Sequence, residues 1–297
     1  MPLVSLNEVL RPAYKGKYAI GAFNTFNEDI TEAILCAADK HNMPVIVSFS
    51  EVQLEYVDLE CIAEVTKIKA RRLDIPIVLH LDHGLTLDTV KSAIDLGFTS
   101  VMFDGSALDY DENVRYCGTI VDMCKPLSVS VEAELGAVGG DEDGALESAA
   151  DEALYTNINQ AVDFIEKTNI DALAIAIGNA HGKYKKKPIL DFVRLDELNK
   201  ALNLPLVLHG GSGISDADIQ KAINLGISKI NYYTGMLQTA ISTTSNLIEK
   251  CGAKYSDYLD LLRAVKEKVT LTIMERMTVF QNNRSIVTAK HPRKLIL

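Results

Sequence analysis

Three of the six histidines end apolar, strand-like runs beside a glycine: His83 in VLHLDHG, His181 in IAIGNAHG and His209 in PLVLHGG. A buried strand that ends in His and then Gly points an imidazole out of a sheet edge and leaves room for a ligand to approach. Three such ends imply one site. Three imidazoles leave a bound metal a fourth position open to substrate, which is the catalytic rather than the closed structural arrangement.

Other residues surround this pattern with acid–base chemistry. Asp82 directly precedes His83, so a regular pleat sends the two side chains to different faces, one to a metal and its neighbour to substrate. Glu132 and Glu134 lie two apart on the run SVSVEAEL and share a face. Carboxylates inside a barrel need cations or hydrogen-bond donors, so either a second cation site or a salt-bridged layer would account for them, with Asp104 able to join. His80 reads as a packed core histidine, and His41 and His291 as solvated. The run Asp141, Glu142, Asp143 offers a carboxylate on a loop, a natural general base where that loop closes, although such runs are usually only solvated. The cluster GGSG from Gly210, ahead of a helix starting at Ser215, presents backbone N–H groups suited to phosphate. Lys183, Lys185, Lys186 and Lys187 add anion attraction or form a solvated basic turn.

These residues must be carried by elements that converge. Eight short apolar runs recur along the 297 residues: YAIGAFN, PVIVSFS, PIVLHLDH, SVMFD, SVSVEAEL, ALAIAIG, PLVLHGG and KINYY. Between them lie segments of helical period such as EDITEAILCAADKH and NINQAVDFIEKTN. Apolar strands alternating with helices predict a parallel sheet, and eight repeats predict an α/β fold of the closed (β/α)8 barrel type. An open doubly wound sheet is the second choice, but GAFNTFNED is a poor match to its glycine-rich turn. No linker marks a domain boundary, so one barrel domain is expected, with a helical C-terminal extension over about 236–297. Two long loops follow strands: an acidic one from Gly136 to Thr156 and a basic one from Gly178 to Asp191, each a candidate lid.

Composition removes several classes of function. With 30 basic and 40 acidic residues the net charge is −10, which argues against a nucleic-acid or anionic-membrane surface. No stretch approaches the roughly 20 apolar residues of a membrane span, and MPLVSLNEVLRPAYKGK lacks a signal-peptide core, so a cytoplasmic protein is expected. Five cysteines without a CxxC pair give neither a disulfide framework nor a thiolate zinc knuckle.

Taken in order, VLHLDHG, FDGS, VEAELGAVGGDEDG, GNAHGKY, LHGGSG and KINYYT resemble the class II, metal-dependent ketose-bisphosphate aldolases, among them the fructose- and tagatose-bisphosphate aldolases. The resemblance runs from about Tyr18 to Thr234. It implies a catalytic zinc ion on His83, His181 and His209, a second divalent ion held by Asp104 and Glu134, and a site for a monovalent cation. Asp82 would be the acid/base group at the C4 oxygen, and Glu142 the group exchanging a proton with the carbon nucleophile. Dihydroxyacetone phosphate would be held by Gly182, Gly210, Gly211, Ser212 and the segment Asn231, Tyr232, Tyr233 and Thr234, with Asn24 and Ser50 lining the pocket and Arg263 matching the arginine for a distal phosphate. The implied reaction is reversible cleavage of a ketose 1,6-bisphosphate into dihydroxyacetone phosphate and an aldehyde such as glyceraldehyde 3-phosphate, in a homodimer or homotetramer.

A zinc-stabilised enediolate suits these residues better than a Schiff base, because the sixth run, ALAIAIG, carries no lysine. The chain also departs from the family. Tyr232, Tyr233 and Gly235 surround Thr234 where small and acidic residues are usual, and Ser50, Glu51 and Val52 replace Ser-Glu-Gly. Those departures keep open an aldolase for another phosphorylated ketose, or a sugar-phosphate-binding relative without turnover. A metal-dependent hydrolase on the same fold is disfavoured, since YAIGAFN lacks an HxH pair.

Overall fold

The structure is a computed structural model and describes residues 3–139, 147–148, 154–184, 186–251, 258–284 and 286. Its strands are β1 (Ile20–Asn24), β2 (Val45–Ser50), β3 (Ile77–Gly84), β4 (Ser100–Phe103), β5 (Ser130–Leu135), β6 (Glu147–Ser148), β7 (Ala172–Ile175), β8 (Lys183–Tyr184), β9 (Leu206–Leu208) and β10 (Ile227–Asn231). Helices α1 (Leu6–Gly16), α2 (Glu28–His41), α3 (Leu59–Ala70), α4 (Leu87–Asp95), α5 (Tyr110–Cys124), α6 (Ile158–Thr168), α7 (Phe192–Leu202), α8 (Asp216–Asn224), α9 (Thr234–Cys251) and α10 (Tyr258–Phe280) accompany them. All strands but β6 and β8 close a parallel barrel in the order β1-β10-β9-β7-β5-β4-β3-β2. The (β/α)8 reading is correct. Every residue of these eight strands is buried, because helices cover the outside and side chains fill the inside.

The barrel interior is layered by chemistry. Its lower part is apolar: Ile20, Ala22, Ile46, Val78, Met102, Ala172, Ala174 and Val207 pack against Leu6, Val9, Leu10 and Ala13 of α1. Helix α1 therefore plugs that mouth. Its start is held by a capping box in which Glu8 accepts from the Ser5 N–H at 2.8 Å, and the Asn7 N–H donates to the Ser130 hydroxyl at 3.1 Å. Higher up, the filling turns polar, with Ser48, His80, Ser100, Glu132 and Lys229 all fully buried.

Two irregularities matter for function. The β3–β4 register shifts between Leu81 and Gly84, and His83 there has φ 45°, an unusual backbone for a residue with a side chain. The other is the short pair β6–β8, which with the bridge from Gly139 to Ala180 ties the acidic loop to the basic one. The two loops are thus coupled where the sequence reading treats them separately.

On the outside, α10 packs along α2 and α9, and Phe280 stacks on Phe23 with ring centres 6.4 Å apart. Among the described residues no helix is long and apolar enough to cross a membrane.

Candidate active site

The strand ends bring the three histidines together. His83 at the end of β3, His181 after β7 and His209 after β9 join Glu134 of β5, and one ligand atom from each lies within 4.8 Å of all the others. Ring centres are 4.5 Å apart for His83 and His209 and 4.9 Å for His83 and His181. The irregularity in β3 lets two adjacent residues share the site. A regular pleat would send Asp82 and His83 apart, and the expectation of different faces is overturned because the shifted register and left-handed His83 turn both side chains into the same cleft.

Carboxylates set the orientation of the rings. Asp104 Oδ2 sits 2.9 Å from His83 Nδ1, and Glu132 Oε1 sits 3.1 Å from His209 Nε2. Each carboxylate accepts, so each ring donates outward and turns its other nitrogen toward the cluster, where His209 Nδ1 also lies 3.3 Å from Asn231 Nδ2. His83 Nε2 and His209 Nδ1 then face each other at 2.8 Å. A shared proton satisfies that contact, and with both rings neutral a cation takes the proton's place. Burial and the neighbouring rings push the His181 and His209 imidazoles below their usual value, toward the neutral form that a metal needs. The donor set of three imidazoles and one carboxylate therefore fits a divalent ion such as zinc.

Asp82 is held for proton transfer. Asn24 Nδ2 donates to Oδ2 at 2.9 Å, and Asn231 Nδ2 donates to Oδ1 at 2.9 Å, so both oxygens are fixed. Burial raises this carboxyl, but His83 and the Lys229 ammonium beside it more than offset that and hold the group well below the usual carboxylate range. The Asn231 Oδ1 atom is buried without a hydrogen-bond partner among the described residues, an acceptor available to a ligand hydroxyl.

Beneath the cluster lies a group that the sequence reading passed over. Lys229 of β10 is fully buried inside the barrel and pairs with Glu132 at 2.7 Å and 2.9 Å. Its ammonium also reaches His80 Nε2 at 3.1 Å, and His80 Nδ1 meets the Ser100 hydroxyl at 2.9 Å. This settles two points. Glu132 belongs to a salt-bridged layer, and the barrel does contain a lysine, on its last strand rather than its sixth. Lys229 is spatially committed to Glu132 and His80. A signal was present, since Lys229 is the one lysine within the eight strand runs and Glu132 needed a cation.

A cleft opens above the cluster, lined among others by Asn24, Ser50, Gln53, Asp82, Gly182, Gly210, Ser212, Asn231, Tyr233 and Thr234. Gly210 is obligatory here: its φ is 66°, and an added Cβ would meet the Ala180 carbonyl oxygen at 2.0 Å. The Gly211 N–H is spent on the Asn231 carbonyl at 3.0 Å, while Ser212 Oγ accepts from the Gly235 N–H at 3.0 Å. The helix start lining the cleft is thus that of α9, at Thr234, rather than that of α8, which Ser215 caps internally.

The tyrosine pair separates. Tyr233 lines the cleft, whereas Tyr232 lines an adjoining hollow and its hydroxyl would sit 2.1 Å from any Cβ at position 235. Tyr232 and Gly235 are therefore matched in size. Arg263 is not brought to the cleft; it is exposed on α10 and paired with Asp260 at 2.5 Å. Glu142, with Asp141 and Asp143, lies outside the described residues.

A family model described as fructose-bisphosphate aldolase class-II matches residues 4–285. A 6-phospho-5-dehydro-2-deoxy-D-gluconate aldolase of Halalkalibacterium halodurans is 39% identical over 286 residues, covering 95% of this chain and 98% of its own. A probable fructose-bisphosphate aldolase of Bacillus subtilis is 39% identical over 285 residues, covering 94% and 98%. The crystal structure of the YdjI aldolase from Escherichia coli K12 superposes with a TM-score of 0.84 at 34% identity, covering 95% of this chain and 98% of that one.

Proposed function

Because the chain belongs to the class-II fructose-bisphosphate aldolase family, we propose that it reversibly cleaves a C1-phosphorylated ketose into dihydroxyacetone phosphate and an aldehyde, with zinc on His83, His181 and His209. Fructose and tagatose 1,6-bisphosphates, the expectation from sequence, carry this first half. The observation that supports the reading best is the cluster of three imidazoles and Glu134 beside an Asp82 whose two oxygens are pinned by amide donors.

The chain's residues divide the work. Asp82, ionised at neutral pH, takes the proton from the C4 hydroxyl as the C3–C4 bond breaks and the bonding pair passes to the C3 side, leaving an enediolate. A bound zinc ion supplies charge stabilisation at the enediolate oxygens, worth several kcal/mol. Glu142 returns a proton to C3, which completes dihydroxyacetone phosphate. Asp104 and Glu132 keep the His83 and His209 nitrogens aimed inward, and Asp104 with Glu134 offers carboxylates to a second divalent ion. Gly182, Gly210, Ser212, Tyr232 and Thr234 take the phosphate end, while Asn24, Ser50, Asn231 and Tyr233 face the sugar.

The test is aldol cleavage by metal-stripped protein before and after zinc is restored, with metal content followed in parallel. Zinc-dependent release of dihydroxyacetone phosphate is expected. In Asp82→Ala, metal content should persist while turnover falls by about 10²–10⁴-fold, the range of a lost general base. His209→Ala should lose both, and full metal content in that variant would remove His209 from the ligand set.

A further inference from the structure

The two ends of the cleft differ in charge. On one side Gly182, Ser212 and Thr234 are shared with the adjoining hollow, which Lys183, Lys186 and Lys187 line. The start of α9 at Thr234 adds its partial positive charge to that side. A phosphate belongs there.

The remaining wall, which follows β1 and β2, is neutral and firmly held. The 3-10 turn Glu51–Glu55 leads straight out of β2 and carries Gln53, buried at 3% exposure. Gln53 Oε1 accepts from the Ser50 N–H at 3.0 Å while its Nε2 donates to the Tyr233 hydroxyl at 3.2 Å. Phe26 meets the Tyr233 ring edge-on at 6.4 Å. Gln53 thus joins β2 to the segment after β10, and Val52 completes an uncharged surface.

The surroundings of that wall are acidic. Helix α2 starts with Glu28 and Asp29, and the turn after β2 contains Glu51 and Glu55. The nearby cations are already engaged: Lys69 pairs with Glu28 and Glu32, and Lys266 with Asp29 and Glu32. Among the described residues that line the cleft there is no lysine or arginine, so a dianionic phosphate at this end would lose water without ion-pair compensation, whereas hydroxyl groups would find amide and phenol partners. Arg263, the sequence candidate for a distal phosphate, is exposed beside Asp260 and does not line the cleft.

We propose that Gln53 and Tyr233 form the specificity wall for the leaving aldehyde and select an uncharged, hydroxylated one, so that the preferred substrate class is a ketose 1-phosphate rather than a ketose 1,6-bisphosphate. This rests on the aldolase reading above and narrows it.

The experiment compares kcat/KM of the zinc-loaded protein for fructose and tagatose 1-phosphates with that for the two 1,6-bisphosphates, alongside exchange of the C3 proton of dihydroxyacetone phosphate with deuterated water. A preference of at least 10-fold for a monophosphate is expected. Equal rates, a preference for a bisphosphate, or no turnover of any monophosphate overturns the inference. Proton exchange then separates the failures: exchange with the wrong preference leaves the aldolase reading intact, and loss of exchange as well removes both. In Gln53→Lys, a cation at the wall should move the ratio toward the bisphosphates by about 10-fold, and an unmoved ratio in that folded variant excludes Gln53 from the wall.

Discussion

At the scale of single residues, the most informative contact is the one from Glu132 to His209. This carboxylate, charged by its pairing with Lys229, decides which imidazole nitrogen is presented to a metal. Oε1 accepts from both His209 and Lys229 and Oε2 from Lys229, so Glu132→Gln removes the charge and sets an amide NH2 against one of these donors. Metal affinity measured by chelator competition should fall about 10–100-fold, the range for such outer partners. His80 gives a second residue-level prediction. Burial, then the charge of Lys229, pushes its pKa down from the usual 6.5 to about 3. The unfolded chain therefore binds a proton that the folded chain refuses as pH falls from 6.5 toward 3, so this contribution to stability is complete above 6.5 and is lost through that window. In urea unfolding of metal-stripped protein His80 alone should cost roughly 2 kcal/mol between pH 7 and pH 5, with His181 and His209 adding to the loss. A His80→Gln variant should show a shallower dependence.

At the scale of elements, the eight barrel strands were legible because strands buried on both faces read as continuous apolar runs. The three metal-cluster histidines were legible for a related reason: they interrupt such runs at their ends. The relation between Asp82 and His83 was not, since a register shift in β3 leaves no mark on a two-residue pattern. Lys229 was missed because KINYY opens on it, where a charge normally marks the solvated start of a strand. The Gln53–Tyr233 contact spans |i−j| 180 and was beyond any local signal. Elements also fix the loops. Gly210→Ala would drive a methyl into the Ala180 carbonyl, one residue before His181, from a backbone with φ 66°. The expected result is a lower Tm with weakened metal retention, because the turn that carries His181 must move; an unchanged Tm would mean that the two turns have slack.

For the whole molecule, the division of the barrel into an apolar floor and a polar upper layer separates stability from chemistry. Leu10 of α1 is 1% exposed against the floor. Leu10→Ala should cost about 2–5 kcal/mol in urea unfolding, with kcat unchanged at temperatures where the protein stays folded. Loss of kcat in step with stability would mean that the two layers are coupled. The net charge of −10 works at the same scale: an acidic chain that gathers lysines beside the cleft creates a local positive target for a phosphorylated sugar, so raising ionic strength should raise KM more than it lowers kcat.

The plug formed by α1 governs traffic. With Leu6, Val9, Leu10 and Ala13 filling one mouth, a ketose and the two fragments made from it use the same doorway. The fragment seated nearer the opening must leave before its partner can, and in the reverse direction it must arrive second. A barrel sealed at its base by a short helix thereby imposes a queue on substrates and products.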